Sequence, residues 1–388
     1  MEKPGSFRNL TRGNLAVFRL ILPFLFLSCT TDSVPRKAFQ LDGRVNAAYW
    51  QNWHSPPSAY MRLPDLSDDV NRVYVAFALP KAGSSGAMIF EPHEQTAEEF
   101  RADVIALRSR GVEVLISVGG ANHMIELQNE QMENAFVESM IDLIESYGFD
   151  GVDIDLEGSS VWLDGGDLDF RNPTTPKIVH FISAMQKLKA HFGEALLLTA
   201  APETQYVVGG YAAYGGAFGG YLPILHALRG ELDVVHMQLY NSGSQRVFSG
   251  KAEADYDPIV EQATADFAVA LSEMLILGFP VAGDEETWFE GLGADKVAIG
   301  LPAKPSAAIG GYLEPEDVRD AVRYLMTGQP EYDTDYLLRQ PEGHPRLKGG
   351  MTWSANWDRS RVDGTRPYEF VETLREELVR LVQEKVKE

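Results

Sequence analysis

The run Phe149-Asp-Gly-Val-Asp-Ile-Asp-Leu-Glu157 decides how the rest of the chain is read. Its acidic residues Asp153, Asp155 and Glu157 fall at i, i+2 and i+4. On a strand they share one face, stepping along it by ~6.6 Å per pair, while Val152, Ile154 and Leu156 take the other. An apolar face for a helix layer and an acidic face for an interior suit one strand of a (β/α)8 barrel, whose active sites form at the C-terminal strand ends. Closely spaced carboxylates in a low-dielectric interior repel, so at least one pKa must rise. A raised carboxyl pKa is what a general acid needs near neutral pH. Glu157, nearest the mouth, is the candidate proton donor, with Asp155 and Asp153 deeper. The competing reading is a solvated acidic strand or a cation site. An EF-hand loop is excluded because its glycine and final glutamate are not at the required spacing.

Outward from this run, short β-rich segments alternate with longer helical ones. Strands are expected at Val45–Trp53, Arg72–Leu79, Glu113–Gly119, Gly151–Glu157, Ala195–Ala201, Val234–Tyr240, Lys296–Leu301 and Gly350–Asn356. Helices are expected at Ala97–Arg110, Asn134–Tyr147, Thr175–His191, Glu261–Leu277 and Tyr368–Lys387. Eight strands, each followed by a helix, predict an α/β fold of one (β/α)8 TIM barrel. A doubly wound sheet would want a glycine-rich phosphate turn after its first strand, and Trp50-Gln-Asn-Trp-His54 is nothing of that kind. No internal repeat or Pro/Ser-rich linker marks a second domain, so residues 43–388 are read as one catalytic domain.

The 388 residues are 45% hydrophobic and carry a formal net charge of −22. That charge argues against nucleic acid and against docking on anionic lipid headgroups. A neutral polysaccharide meets no such penalty, although the acidity also serves as a solubilising surface. The single cysteine, Cys29, excludes an intrachain disulfide, and no Cys/His group has zinc spacing. Neither a metal nor another cofactor is expected, and the chain is expected to be a monomer.

Lys3, Arg8, Arg12 and Arg19 precede the apolar run Leu20-Ile-Leu-Pro-Phe-Leu-Phe-Leu27, too short to span a bilayer. Residues 1–29 therefore read as an export signal and residues 30–42 as a linker. Cys29 sits where a bacterial lipoprotein is cut and acylated, and the segment resembles that signal, although Phe26 and Leu27 depart from its commoner residues. The protein is expected to be secreted or anchored to the cell envelope, touching a membrane only through a lipid on Cys29. Simple cleavage near Ser28 or Thr30 is the alternative.

The acidic run resembles the signature of glycoside hydrolase family 18, the chitinases and their relatives. Leu115-Ile-Ser-Val-Gly-Gly120 is similar to the family's third-strand motif, and Val235-His-Met-Gln-Leu-Tyr-Asn241 to its sixth. Ile299-Gly-Leu-Pro-Ala303 with Ala307-Ala-Ile-Gly-Gly-Tyr312 resembles its seventh strand and loop, and Gly350-Met-Thr-Trp-Ser-Ala-Asn-Trp-Asp358 its eighth. The resemblance spans roughly residues 43–380, and five motifs in order make it specific.

It implies substrate-assisted hydrolysis of chitin or N-acetylglucosamine oligomers. Glu157 would protonate the glycosidic oxygen while the sugar's 2-acetamido oxygen attacks the anomeric carbon. Asp155 would orient the acetamido group and offset the developing charge, and Asp153 would share a proton with Asp155. Tyr240 would donate its hydroxyl to the acetamido carbonyl, and Trp353 would floor the distorted sugar. Met237, Gln238 and Asn241 join these as substrate contacts, with Gln238 and Tyr240 on one strand face. Tyr49 and Phe77 read equally as substrate contacts or barrel filler, and Glu203 as an extra contact. Gly119 and Gly120 would permit close backbone approach. The Gly- and Tyr-rich segment Tyr206–Tyr221 reads equally as a sugar-binding loop or an ordinary surface loop.

Some relatives insert an α+β domain between strands seven and eight. Residues 304–348 leave no room for it, which predicts an open groove and endo-type cutting. An endo-β-N-acetylglucosaminidase acting on N-glycans shares the acidic run and is the main alternative. A non-catalytic chitin-binding protein is another, although relatives of that kind typically lack the acid present here as Glu157.

Overall fold

The computed structural model describes residues 41–250 and 257–385. Eight strands close on themselves within them: β1 (Val45–Gln51), β2 (Arg72–Pro80), β3 (Glu113–Gly119), β4 (Gly151–Asp155), β5 (Leu197–Ala200), β6 (Val234–Gln238), β7 (Val297–Pro302) and β8 (Gly349–Trp353). All neighbours run parallel, and closure comes from β1, which pairs with β8 (Val45↔Gly349) and with β2 (Tyr49↔Tyr74). Strand alternation divides the apolar residues into two separate clusters. Tyr49, Tyr74, Leu115 and Met351 fill the interior, whereas Val152, Ile154 and Leu198 pack outward on helices. This is the expected barrel.

Helices α1 (Ala97–Ser109), α2 (Glu130–Tyr147), α3 (Pro176–Phe192), α4 (Leu222–Leu228), α5 (Ala265–Leu277), α6 (Pro315–Thr327) and α7 (Glu369–Lys385) form the outer layer. Thr96 and Glu99 make a reciprocal capping box at the start of α1, which satisfies otherwise orphaned amides there. One crossover departs from the strand–helix alternation. Between β1 and β2 the chain makes only a 3-10 turn, Leu63–Asp65, in a segment containing Pro56, Pro57 and Pro64. Prolines remove the amides a helix needs in its interior.

The barrel is plugged at its N-terminal end. The buried Arg72 guanidinium lies between Glu113 and Asp233, and Lys348 also reaches Asp233. Access is therefore left to the opposite mouth, where the acidic run ends. Between β7 and α6, residues 303–314 hold one short 3-10 turn, Pro305–Ala307. Residues 328–348 are tied to α5 through Glu273, which accepts from the Tyr336 hydroxyl, the Arg339 and Gln340 amides, and His344 Nε2. The crossover from β7 to β8 thus stays short, as its length required. The expected signal, most of the linker, and Cys29 lie outside the described residues.

Candidate active site

Asp153 points into the barrel and is fully buried. It accepts from Tyr49 Oη at 2.5 Å, Ser117 Oγ at 2.8 Å and Thr199 Oγ1 at 2.6 Å, with His236 Nε2 3.2 Å away. Burial pushes its pKa up, but His236 and the hydroxyl donors outweigh that and hold it below the usual carboxylate range. The Tyr74 ring stacks on His236 at 4.5 Å and fixes the imidazole. Asp153 is accordingly an ionised, fully satisfied group.

Asp155, one step nearer the mouth and 3% exposed, has a poorer environment. Gln238 Nε2 donates to it at 2.8 Å. Burial first, then the charges of Glu157 and Asp153, push its pKa well above the ordinary value. The charge of Asp153 thus contributes to the rise at Asp155. Glu157 lies just past the end of β4, still extended (φ −127°, ψ 168°), so it continues the same face. Burial, followed by the charge of Glu203, raises it to about 7.

The backbone that carries Glu157 is held from an unexpected quarter. β5 ends at Ala200, opposite Ile154, so the ladder runs out just before the acid. Tyr221 takes over: its hydroxyl donates to Ile154 O at 2.9 Å and accepts from Leu156 N at 3.1 Å. On the far side of Glu157, Tyr206 Oη accepts from Gly158 N at 3.1 Å. The segment Tyr206–Tyr221 is thus neither a free sugar-binding loop nor an ordinary surface loop at these two positions, both of which are buried. Across the strand, Gly120 N donates to Asp155 O at 2.7 Å. That approach requires glycine at 119 (φ +120°), where a Cβ would lie 2.0 Å from the Asp155 oxygen.

These groups line a cavity of about 610 Å³ at the mouth. Tyr240 and Gln238 enter it from β6 and the turn beyond, Gln238 also donating to Ala201 O at 2.9 Å and Glu157 Oε1 at 3.3 Å. Asn241 lines it too, and its Oδ1 accepts from Ile309 N at 2.8 Å, pinning the loop after β7. Trp353 and Phe77 face the cavity as stacked rings 6.2 Å apart, and Trp53 stacks on Phe77 at 6.1 Å. These aromatic rings form an apolar wall suited to a pyranose face.

Two expected contacts lie elsewhere. Met237 has the opposite strand parity to Gln238 and packs in the outer cluster at 1% exposure. Tyr49 does not line the cavity; its hydroxyl donates to Asp153, so it holds a carboxylate. Sequence reading missed Trp53 and His236, although parity places Trp53 with Tyr49, and His236 with Gln238 and Tyr240. Near the rim, His54, His93 and Glu94 could bring ligand atoms within 4.8 Å of one another. However, His54 Nδ1 accepts the Tyr60 amide at 3.2 Å, so its Nε2 carries a proton and donates to Glu94 at 3.1 Å. The ring offers a cation no lone pair in that arrangement.

A closed parallel barrel with titratable carboxyls and an aromatic wall at its C-terminal mouth defines the class of barrel enzymes that work through carboxyl groups. The chain belongs to the family described as Glycosyl hydrolases family 18, which it matches over residues 45–358. It is 47% identical over 332 residues to Chitinase Chi52 of Paenibacillus xylanexedens and 47% identical over 333 residues to Chitinase D of Niallia circulans, with 86% of this chain aligned in each case. It spans 62% of the length of each of these relatives. Among solved structures, a family GH18 chitinase from Chromobacterium violaceum superposes with a TM-score of 0.77 at 33% identity. That match covers 89% of this chain and 85% of the other.

Proposed function

We propose that this protein is an endo-acting chitinase that cleaves β-1,4-linked N-acetylglucosamine polymers with retention, the substrate's own acetamido oxygen serving as nucleophile. The observation that carries the reading is the placing of Glu157, raised to about 7 at the mouth, directly above the buried Asp155, whose pKa burial and neighbouring charge push up. Glu157 donates its proton to the glycosidic oxygen, and the carboxylate it leaves then activates water on the return step. Asp155 passes its proton to the Asp153 carboxylate as positive charge develops on the oxazolinium ring, so that the Asp155 anion faces that charge, and takes the proton back when the ring opens. Tyr240, with its pKa driven up first by burial and then by the carboxyl groups around it, stays a phenol that donates to the acetamido carbonyl. Trp353 and Phe77 lie flat enough to floor the distorted sugar.

Chitin is favoured over N-glycans by the names of the relatives at 47% identity. Retention of Glu157, Asp155, Asp153 and Tyr240 disfavours a purely binding role. The short segment 303–314 supports an open groove and internal cutting.

The test is digestion of defined N-acetylglucosamine oligomers and a high-mannose glycopeptide, with anomers resolved before they equilibrate. Internal cuts with β-configured new ends are expected. Dimers released from one end alone from the first minutes overturn endo action, and cleavage of the glycopeptide alone overturns the substrate. Residues 1–29 are further read as an export signal with Cys29 acylated. A palmitate analogue is expected in the Cys29-containing product, and an unlabelled product refutes the anchor.

A further inference from the structure

Glu203, three residues beyond β5, is held toward the acid by main-chain contacts on both sides. Ala201 N donates to Ile154 O at 2.8 Å, Gln238 N donates to Pro202 O at 2.9 Å, and Glu203 bridges Gln238 in parallel register. Its side chain enters the same cavity as Asp155 and Glu157 and is hydrogen-bonded to Glu157. Two carboxyl groups can share such a bond only if one of them keeps a proton. Among the described residues, no lysine or arginine lines this cavity to compensate two anions.

We propose that Glu203 is a positioning residue for the acid: its carboxylate accepts the hydrogen bond of the Glu157 carboxyl in the free enzyme and keeps that proton at the mouth. The inference rests on the reading of Glu157 as proton donor. The other groups facing the pair leave the assignment intact. From β4 comes Asp155, its pKa pushed up by burial, with Asp153 below it engaged by Tyr49 from β1 and His236 from β6. Tyr240 and Tyr206 face the pair as neutral phenols, Gln238 as an amide, and His123 lines the opposite wall after β3. Glu157 carries the proton, because burial and the Glu203 charge lift it to about 7. Burial raises Glu203 overall, and its bond with Glu157 offsets only part of that rise, as befits the acceptor of the pair.

The test is the pH profile of kcat/KM on an N-acetylglucosamine oligomer. Activity needs the protonated acid, so the basic limb falls as pH rises through the Glu157 pKa. Glu203→Gln removes the charge and is expected to move that limb down by about one pH unit, a tenfold shift in proton affinity. A limb that stays in place or moves up overturns the proposal. So does a raised KM with an unmoved limb, which assigns Glu203 to sugar binding. Should the variant not fold, carbon-13 titration of glutamate carboxyls in the parent enzyme gives the same answer. Two glutamate resonances that each move in both of two steps support the shared proton, and independent single steps overturn it. Turnover in Glu157→Gln identifies failure of the acid assignment itself, separately from failure of the Glu203 proposal.

Discussion

Glu157→Gln is expected to lower kcat on chitin oligomers on the order of a thousandfold while oligomer binding persists. The size follows from the work asked of the group, since a positioned acid supplies about 10²–10⁴ in rate. The amide keeps the volume and one acceptor oxygen, so the Gln238 contact at 3.3 Å and the neighbouring wall of Phe77 and Trp353 have no reason to move. It has no proton to give at any pH, so the loss falls on kcat rather than on KM. Steady-state kinetics with a binding isotherm on the same oligomer checks this. A variant that retains more than about a tenth of parental kcat removes Glu157 from the role, because that is less than the smallest effect such an acid supplies.

Asp155→Asn is expected to cost about 10²–10³ in kcat and, at the same time, to stabilise the fold at neutral pH. The rate effect arises because an amide cannot become the anion that offsets the oxazolinium charge, and a preorganised group of this kind in a dry site is worth about 2.7–4 kcal/mol. The stability effect has the opposite sign. Burial and the charges of Glu157 and Asp153 raise the folded-state pKa of Asp155 above its unfolded value. Between those two values the unfolded chain has released the proton while the folded one still holds it, so stability falls as pH rises through that window. Asparagine has no such penalty. Thermal unfolding should therefore show the variant above the parent at pH 7, with the gap closing near pH 4. A variant less stable than the parent at pH 7 would mean that Asp155 is a satisfied structural carboxylate.

Much of this was legible in the chain because strand alternation is a local rule. The i, i+2, i+4 spacing from Asp153 to Glu157 placed three carboxylates on one face, and they lie on it even though β4 itself ends at Asp155. The same rule, applied strictly to β6, excludes Met237 and admits His236, and it extends β1 toward the mouth at Trp53. Other features follow from contacts between distant segments. Whether Tyr49 meets a ligand or a carboxylate depends on its height in the barrel, which is set by register with β2 and β8. The tyrosines of the 206–221 segment have no periodic signal, because their task is to satisfy two amides and a carbonyl some 50 to 70 residues away. The hairpin of Phe279–Val281 with Asp284–Phe289 was likewise unforeseen.

The tyrosine brace divides the rim of the barrel into a rigid side and an adaptable one. Where β7 meets α6, residues 303–314 touch the site through Asn241, Tyr240 and Trp353. Among the described residues they form no hydrogen bond with the peptide units beside Glu157, so length can be added there without moving Glu157. On the β5 side the same freedom is missing. Tyr206 and Tyr221 grip the peptide units on either side of Glu157, and an insertion between them would be transmitted to the acid as a shift in its aim. Variation in what this scaffold accepts is therefore channelled to one half of its circumference.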